Sequence, residues 1–524
     1  MKLTRIIPAL ITLMVIVIIP AFSQSVQFTK EQKQKLADAN SQFNYGNYHI
    51  ALPVYSELYA IDSTNSEINY NLGVCIYYIK REKSEAIKYF EKSKMDFIDA
   101  FFYLGNLYHN ELDFSKAMEH YLLYKNSSKE KNFTLDEVNY RIEVTNNAGS
   151  LMEEPKNVWI QNMGETVNSK YAEYAPVISQ DDRTLYFTSR RDGSTGGLLD
   201  PYNEYFEDIY YTKKEDGTWS LPLNMGPPIN TPGHDATVTL SPDGSELYLF
   251  RTDPELTGGD IFISDRNENN WLLPEKINAE INTKQGLEAS ACLSPDGNTC
   301  YFSSNREGGY GGKDLYKVVK LPNGLWSKAQ NLGPTVNTPY DEDAPYLDSD
   351  GATLYFSSKG HKNMGGYDLL MCTMNENGIW NQPENLGYPI NTVNDEIYFV
   401  ISNSKDLGYF SSNRKGGLGL SDIYAVDMPE NWTNYIMVVG ELITADSLTI
   451  LNCTITFIDS KTNKVQGIYR PNKTSGKFVI LAMPNKKYKM IVEASGFHNY
   501  IGEIEVNETN FNKILTSIKL EEKQ

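Results

Sequence analysis

Acidic and basic residues recur at fixed positions in the middle of the chain, with a spacing that could place paired charges on one rim. The acidic positions lie six residues before the Ser that ends a predicted strand: Glu173, Asp235, Glu288, Asp343 and Glu396. The basic positions lie at the end of the next predicted strand: Arg190, Arg251, Arg306, Lys359 and Arg414. Strands joined by a tight turn are antiparallel, so the acid and base of each copy are expected to meet.

Two interpretations of these charges stay open. Ion pairs within each copy would hold the strand ends together, each contributing about 0–1 kcal/mol if exposed. Alternatively, the charges would form a mouth that binds a peptide terminus, a sugar or Ca²⁺. A catalytic pair of carboxylates is expected to break the repeat symmetry, and this set does not. The sequence also has no nucleophile elbow, HExxH, CxxC or phosphate-loop motif, which predicts that the chain is not an enzyme and holds no cofactor or metal.

One insertion breaks the symmetry of the repeat. From Tyr186 to Asp208 the first copy has 22 residues, where the other copies have 12 or 13. The inserted loop is apolar and aromatic, and it carries Tyr202, Tyr205 and Phe206. Loops on a rigid scaffold often carry binding, and tyrosines make good anchors. The loop is therefore a candidate binding element, with covering of a neighbouring domain as the alternative.

The elements that position these residues are the strands of a repeat. Its five copies start at Met163, Met225, Ile277, Leu332 and Leu386, with spacings of 62, 52, 55 and 54 residues. A period near 50 residues made of short strands is typical of a β-propeller with one blade per copy. The sequence predicts a propeller over residues 157–431 with five blades, or six as the alternative. The segment Val158–Ile160 is expected to complete the last blade and close the ring.

The regions on either side have different patterns. Residues 28–151 are predicted to be helical, with small residues Ala51, Ala86 and Ala117 recurring near every 34 residues, which resembles the tetratricopeptide repeat. Residues 435–520 alternate apolar and polar side chains and predict a small β-sandwich of immunoglobulin-like or transthyretin-like form. Its Gly-Lys-Phe strand and the Ala494–Phe497 turn resemble the carboxypeptidase-regulatory-like domain.

The first 23 residues have the pattern of an export signal. Lys2 and Arg5 precede an apolar run, and Ala21-Phe22-Ser23 is a small-x-small cleavage site. A retained membrane anchor is the alternative. With cleavage, we expect a periplasmic protein without a transmembrane span, peripheral to the outer membrane. The formal net charge of −19 argues against nucleic acid as a partner, because phosphate binding requires clustered Lys and Arg.

The five cysteines include Cys292 and Cys300, which flank a tight turn on adjacent predicted strands. Their counterparts in the first copy are Val177 and Leu185, which indicates apolar blade positions. Buried free thiols are therefore expected, with a cross-strand disulfide as the alternative.

The order of the three regions resembles that of the PorE-like periplasmic envelope proteins. The strongest motif runs from Ser294-Pro295-Asp296-Gly297 through Tyr301–Arg306 to Asp314-Leu315-Tyr316, and it is similar to the TolB-type propeller repeat. Members of that family commonly end in an OmpA-type peptidoglycan-binding domain. This sequence stops after the predicted sandwich, so peptidoglycan binding is not expected.

The resemblance implies a scaffold in a cell-envelope complex, associated with type IX secretion or an outer-membrane β-barrel partner. Protein partners would bind the helical groove and the propeller. The alternative function is a periplasmic sensor that binds a glycan or peptide in the propeller mouth.

Overall fold

A computed structural model describes residues 27–523, except for short segments. The exceptions are residues 157, 201–202, 254–255, 257, 269, 278–279, 285, 429–435, 445–452, 464, 470, 472–475, 483–485 and 507–513. The predicted signal segment and Tyr202 therefore lie outside the described residues. One compact unit ends at Ala100 and a second begins at Phe101. Each unit is described by itself below.

Helices form the N-terminal part of the described chain. Their bounds are α1 Lys30–Asn44, α2 Tyr48–Ile61, α3 Ser66–Ile79, a short 3₁₀ turn Lys83–Ala86, α4 Ile87–Ser93, α5 Asp99–Asn110, α6 Phe114–Asn126 and α7 Leu135–Glu153. Thr29 and Thr134 begin α1 and α7 with capping boxes, in which a side chain satisfies an unpaired helix N–H.

Small residues allow these helices to pack closely. Ala51, Ala86 and Ala117 are fully buried, as their spacing predicts. A Cβ added at Gly73 would lie 3.0 Å from the ring of Phe90, so a larger residue there would push the helices apart. The aromatic residues on these faces are core residues.

The middle of the chain folds into five consecutive antiparallel sheets. The first contains β2 Glu173–Ile178, β3 Thr184–Ser189, β4 Asp208–Glu215, β5 Thr218–Trp219 and β6 Leu223–Asn224. The second contains β7 Asp235–Leu240, β8 Glu246–Thr252, β9 Gly259–Asn267, β10 Asn270–Trp271 and β11 Glu275–Lys276. The third contains β12 Ala291–Leu293, β13 Thr299–Ser304, β14 Asp314–Val319 and β15 Gln330–Asn331. The fourth contains β16 Glu342–Leu347, β17 Thr353–Ser358, β18 Asp368–Thr373 and β19 Glu384–Asn385.

The fifth sheet closes the ring. It contains β20 Glu396–Ile401, β21 Leu407–Ser412, β22 Asp422–Asp427 and, from the start of the repeat region, β1 Ile160–Asn162. Strand β1 pairs antiparallel with β22, so the predicted closure by an N-terminal strand is confirmed, shifted by two residues. The first strands β2, β7, β12, β16 and β20 contact one another around a centre. The described residues thus form a β-propeller of five blades, not six.

The C-terminal part forms two sheets around one core. The first contains β23 Ile436–Ile443, β26 Lys477–Ala482 and β29 Ile514–Lys519, and the second contains β24 Cys453–Asp459, β25 Val465–Tyr469, β27 Lys486–Ala494 and β28 Tyr500–Val506. Phe457 and Tyr488 stack at 4.4 Å inside the shared core.

Helices α5 and α7 pack directly on the fourth blade. The ring of His109 lies 3.0 Å from the Thr145 hydroxyl and 3.0 Å from the Met364 carbonyl. Tyr140 donates a hydrogen bond of 2.6 Å to the Lys359 carbonyl. Burial lowers the pKa of His109 to about 4, so its ring is neutral at neutral pH.

All five cysteines are buried free thiols. Cys292 lies opposite Tyr301 in the ladder, and Cys300 lies opposite Leu293. Their side chains belong to different core clusters, so the two sulfur atoms cannot join. In the part of the chain described, no helix combines the length and apolar character that a membrane crossing requires.

Candidate functional site

One buried carboxylate begins the innermost segment of each blade, and we call these five residues the clamp carboxylates. They are Glu173, Asp235, Glu288, Glu342 and Glu396. In the fifth blade, Glu396 accepts hydrogen bonds from the backbone and hydroxyl of Thr392 at 2.7 and 2.8 Å, and from Ser412 at 2.6 Å. Arg414 adds a contact of 3.2 Å. Each clamp carboxylate joins the loop before its blade to the end of the second strand.

The structure corrects the predicted partner of the first clamp carboxylate. Arg191, not Arg190, contacts Glu173, at 3.1 Å. Ser189 ends β3, and side chains alternate along an extended chain. Arg191, two positions after Ser189, therefore faces the carboxylate of Glu173. Arg190 instead contacts Asp200 at 2.6 Å and Glu204 at 2.9 Å, both in the inserted loop. Arg251, Arg306 and Arg414 pair with the clamp carboxylates of their own blades, as predicted.

The structure also corrects the acid of the fourth blade. The clamp carboxylate is Glu342, and the predicted Asp343 is its neighbour. In the fourth blade, Asp348 and not Ser349 takes the place of the Ser that ends the first predicted strand of the other copies, because the Asp348 N–H donates to the Thr353 carbonyl. The sixth residue before Asp348 is Glu342, so the prediction was wrong by one residue. Counting back from Ser349 therefore gave the wrong acid.

The fourth blade lacks the guanidinium of the others. There, Nε2 of His361 lies 2.8 Å from the Val336 carbonyl. In the fifth blade, the corresponding carbonyl is that of Ile390, and Arg414 donates a hydrogen bond to it. Lys359 pairs with Asp341 at 2.8 Å instead of with the clamp carboxylate. Burial raises the pKa of Glu342 to about 7, and hydrogen bonds from Thr338 and Ser358 only partly oppose it.

Positions beside the clamp carboxylates differ from blade to blade. The position after the clamp carboxylate holds Tyr174, Ala236, Ala289, Asp343 and Ile397. The position before it holds Ala172, His234, Leu287, Asp341 and Asp395. The position before the third-strand Asp of each blade holds Glu207, Gly259, Lys313, Tyr367 and Ser421. At these three positions, the side chains therefore differ in charge and polarity from one blade to the next.

Several of these residues line a cavity of about 330 Å³ at the propeller mouth. Tyr174 and Tyr398 stack at 6.0 Å in its wall, beside Glu207, His234 and Thr252. Burial raises the pKa of both tyrosines, so their phenols stay protonated and can donate hydrogen bonds.

On the side of blades one and two, a histidine and a carboxylate are in contact. Nδ1 of His234 contacts Glu207 Oε2. The other oxygen of Glu207 accepts a hydrogen bond from the Tyr174 hydroxyl at 3.0 Å and lies 3.8 Å from Arg190. The ring of Phe206 stacks on the imidazole at 3.9 Å. Burial, with Arg190 second, lowers the pKa of His234.

On the side of blades three and four, a lysine and a carboxylate form an ion pair. Lys313 Nζ lies 2.6 Å from Asp343 Oδ2. Asp343 also accepts hydrogen bonds from Ser290 and Ser303, at 2.5 and 2.6 Å. Asp343 occupies the repeat position of Tyr174, and Lys313 occupies that of Glu207, so this pair lies at the same mouth of the propeller.

The inserted loop of the first blade lies at the same mouth. Tyr205 meets Tyr171 edge-to-face at 5.8 Å, and Phe206 is buried against His234. Asp200 of this loop holds Arg190. The loop therefore packs against His234, a residue of the cavity wall. A binding role for Tyr205, Phe206 and the charged residues of the predicted ring stays a prediction.

Sequence reasoning missed Tyr174, Tyr398, Glu207, His234 and Lys313. Each of these residues occupies a repeat position that the other blades fill with other residue types, so the shared repeat motif does not contain them. Comparing copies for the positions that differ beside an invariant acid could have found them. Among the described residues, no group of three or more His, Cys, Asp and Glu side chains could hold a metal ion.

No protein-family model and no curated protein matches the chain. Similar solved structures include a gluconolactonase from Xanthomonas campestris, 12% identical with a TM-score of 0.29, the likeness covering 54% of this chain and 93% of that one. An α-L-arabinofuranosidase from Lactobacillus brevis is 12% identical with a TM-score of 0.33, covering 51% and 94%. Another from Clostridium thermocellum is 13% identical with a TM-score of 0.29, covering 47% and 83%.

These structures correct the prediction that the chain is not an enzyme, which is wrong. All three are enzymes. Likeness at this level transfers no activity to this chain. The prediction failed because it depended on motifs within short segments. A propeller mouth assembles side chains from several blades that lie far apart in the sequence.

Proposed function

We propose that the propeller mouth binds a carbohydrate. The observation that carries this proposal is the pair of stacked tyrosines, Tyr174 and Tyr398, in the wall of a cavity of about 330 Å³ that also holds Glu207 and His234. Aromatic rings pack against the C–H faces of a sugar, and carboxylate, imidazole and hydroxyl groups bind its hydroxyls.

A neutral, hydroxyl-rich ligand suits the charges of this mouth better than a peptide terminus does. Asp343 is already paired with Lys313, and Glu207 already has Arg190 and His234 beside it. A charged terminus would have to displace one of these partners. Sugar hydroxyls can instead add hydrogen bonds to oxygens that keep their present partners.

The test is calorimetric titration of the protein with a panel of neutral and acidic oligosaccharides. Tyr174→Ala and Tyr398→Ala should each weaken binding about tenfold or more, as loss of a buried aromatic anchor does. Tyr45→Ala is the matched control, because Tyr45 is 79% exposed in the helical unit. Binding that survives both mouth substitutions, or binding of peptides in place of sugars, would contradict the proposal.

A second candidate function is the envelope scaffold that the PorE-like resemblance implies, with the helical region as a tetratricopeptide domain in the periplasm. The observation that favours it is an exposed aromatic surface in the helical unit. Tyr78 is 52% exposed, and its ring stacks on that of Tyr48 at 5.1 Å. Tyr45, which is also exposed, is close to Tyr48 in the sequence. An extended segment of a partner protein could bind these rings.

Crosslinking in cells tests this second function. A partner recovered with the parent protein should be lost when Tyr45 and Tyr78 are both replaced by Ala, and kept with Tyr174→Ala. Recovery of the same partner with all three proteins would argue against this surface.

A further inference from the structure

Buried residues close the inner end of the mouth cavity. Ala175 and Thr237 line this end and are 5% and 2% exposed. The Thr237 hydroxyl donates a hydrogen bond of 2.5 Å to the Ala175 carbonyl, and the Ala175 N–H donates one of 3.2 Å to the Ser411 hydroxyl. The first, second and fifth blades are therefore hydrogen-bonded to one another at the floor of the cavity.

A separate cavity of about 140 Å³ lies at the opposite face of the propeller. Its lining includes Val177, Val238 and Val400, which lie further along the same first strands. The two cavities have no lining residue in common. The lining of the mouth therefore ends at Ala175 and Thr237, and a molecule in the mouth enters and leaves by the same side.

Tyr398 lies at the mouth in a backbone conformation that large side chains avoid. Its φ is +61°, at a β-bulge of β20. In the first and fourth blades the same position holds Ala175 and Ala344, each with a φ of +50°. A bulky residue in this left-handed region is strained, and residues held in this way cluster at binding sites. The strain therefore points to a function for the Tyr398 side chain.

The ring of Tyr398 is not part of the neighbouring core. The core cluster between the fourth and fifth blades contains Phe399 and Ile401, but not Tyr398. Its ring instead stacks on Tyr174 in the cavity wall. Among the described residues, its hydroxyl has no hydrogen-bond partner. Since two other blades form the same bulge with alanine, the fold does not need a tyrosine there.

The other blades that line the mouth contribute small residues. Ala236 and Ala289 hold the position after the clamp carboxylate in the second and third blades, and both line the cavity. Leu256, which is 48% exposed, lies at the open end. The cavity of about 330 Å³ is at the lower end of the usual range for ligand pockets, roughly 300–1,000 Å³. It has room for a compact group beside the tyrosines, not for a long chain.

We propose that Tyr398 is a wall residue of a closed pocket that takes the terminal sugar unit of a glycan chain, an inference that rests on the proposed function. The terminal ring would pack on Tyr398 and Tyr174. Its edge would face Ala236 and Ala289, and the rest of the chain would leave past Leu256. An internal sugar unit continues as chain on both sides, and the closed floor leaves no exit for the second side.

The first test is calorimetric titration of the full chain with linear malto-, xylo-, manno- and chito-oligosaccharides of one to six sugar units. Affinity should rise over the first two units and then stay constant within about twofold, because later units lie outside the cavity. Cyclomaltohexaose, which has no chain end, should bind at least about tenfold more weakly than maltohexaose.

Two results would overturn the terminal-unit pocket. One is an affinity that keeps rising, by about tenfold or more, from two to six units. The other is equal binding of cyclomaltohexaose and maltohexaose.

Tyr398→Gly tests the role of Tyr398 without any ligand. Glycine adopts this φ without strain, so the unfolding temperature should not fall. Ala344→Gly is the matched control, because it relieves strain at the same position of the fourth blade without removing a ring. An unfolding temperature more than about 5 °C below that of Ala344→Gly would show that Tyr398 supports the fold, and would overturn its role as a ligand wall.

The same residue should control binding. Tyr398→Gly should abolish binding of the terminal sugar, while Tyr398→Phe keeps the ring and should weaken binding about fivefold through loss of one hydrogen bond. Ala344→Gly should bind like the parent. Full affinity in Tyr398→Gly would contradict the proposal.

The two proposals fail differently. If no saccharide binds the parent, the carbohydrate proposal fails and the terminal-unit pocket fails with it. If saccharides bind in a Tyr174-dependent way and their affinity keeps rising with chain length, the mouth is a carbohydrate site and only the terminal-unit pocket is overturned.

Discussion

The clamp carboxylates and the mouth residues beside them lie next to each other along the chain, yet the five blades treat them in opposite ways. Every blade places an acid at the clamp position, buries it completely and saturates it with donors from its own loop and second strand. The neighbouring positions hold Tyr174 in one blade and Asp343 in another. The invariant acid is a structural element of each blade, and the chemistry available to a ligand is in the residues that vary.

The difference has a physical cause. A clamp carboxylate lies between two segments of its own blade, so each copy needs the same acceptor in the same place. Several of the neighbouring positions line the cavity of about 330 Å³, where side chains from different blades meet. Since a ligand without fivefold symmetry needs different groups around it, these positions gain from being unlike.

The largest effect should come from removing the charge of a clamp carboxylate that faces a guanidinium. Glu396→Gln leaves Arg414 buried without its counter-charge, and we expect the free energy of unfolding to fall by about 3 kcal/mol. Denaturant titration measures it. The control is Glu376→Gln at an exposed position, expected within about 0.5 kcal/mol of the parent. Equal losses for both would refute the structural role.

The ion pair in the mouth should come next. Lys313→Met leaves Asp343 buried, and we expect a loss of about 2 kcal/mol at neutral pH, less than for a fully buried pair because Lys313 is partly exposed. Lys313 also helps to keep the pKa of Asp343 below its usual value, so its stabilisation is present above the unfolded-state pKa and is lost as pH falls through the folded-state pKa. The loss caused by Lys313→Met should therefore shrink in acid.

A matched control uses an ion pair of the same length at the surface. Lys276 lies 2.6 Å from Asp260, but its side chain is 55% exposed. Lys276→Met should cost about 0–1 kcal/mol with little pH dependence. A cost equal to that of Lys313→Met would mean that burial does not decide the value of the mouth pair.

The smallest effect at neutral pH should be Glu342→Gln, the same substitution in the blade without a guanidinium. The Glu342 pKa of about 7 lies above its ordinary value of 4.5, so the folded protein holds a proton that the unfolded chain releases within that window. Stability of the parent should therefore fall as pH rises from about 4.5 to 7, by about 3 kcal/mol.

Glu342→Gln removes this pH dependence. It should change stability by less than about 1 kcal/mol at pH 7, because the hydroxyls of Thr338 and Ser358 can rotate and accept hydrogen bonds from the amide N–H groups of the glutamine. Denaturant titration at several pH values follows both proteins. Parallel curves for parent and variant would show that Glu342 is ionised throughout the window, and would remove the contrast with Glu396.

Individual residues show which features of the structure could be predicted from the sequence and which could not. The repeat period and turn motifs predicted five blades and their closure by a segment near Ile160, because these features depend on local strand and turn preferences. Arg306 and Arg414 were paired correctly for the same reason. Arg190 and Asp343 were each wrong by one residue, since a shift of one reverses the side of the strand that a side chain faces. In the fourth blade, His361 makes the carbonyl contact that an arginine makes in other blades. It does so from a different position in the repeat, so an alignment of the copies does not indicate the replacement.

The sequence alone determined the architecture, because strand alternation and a repeat near 50 residues are local properties that recur along the chain. Only the tertiary structure decided which polar residues face a common cavity. His234 and Glu207 lie 27 positions apart, and Tyr398 lies farther still. Ring closure brings them to one mouth, and no short-range pattern contains that information, because proximity across blades is set by how the five sheets pack around their centre.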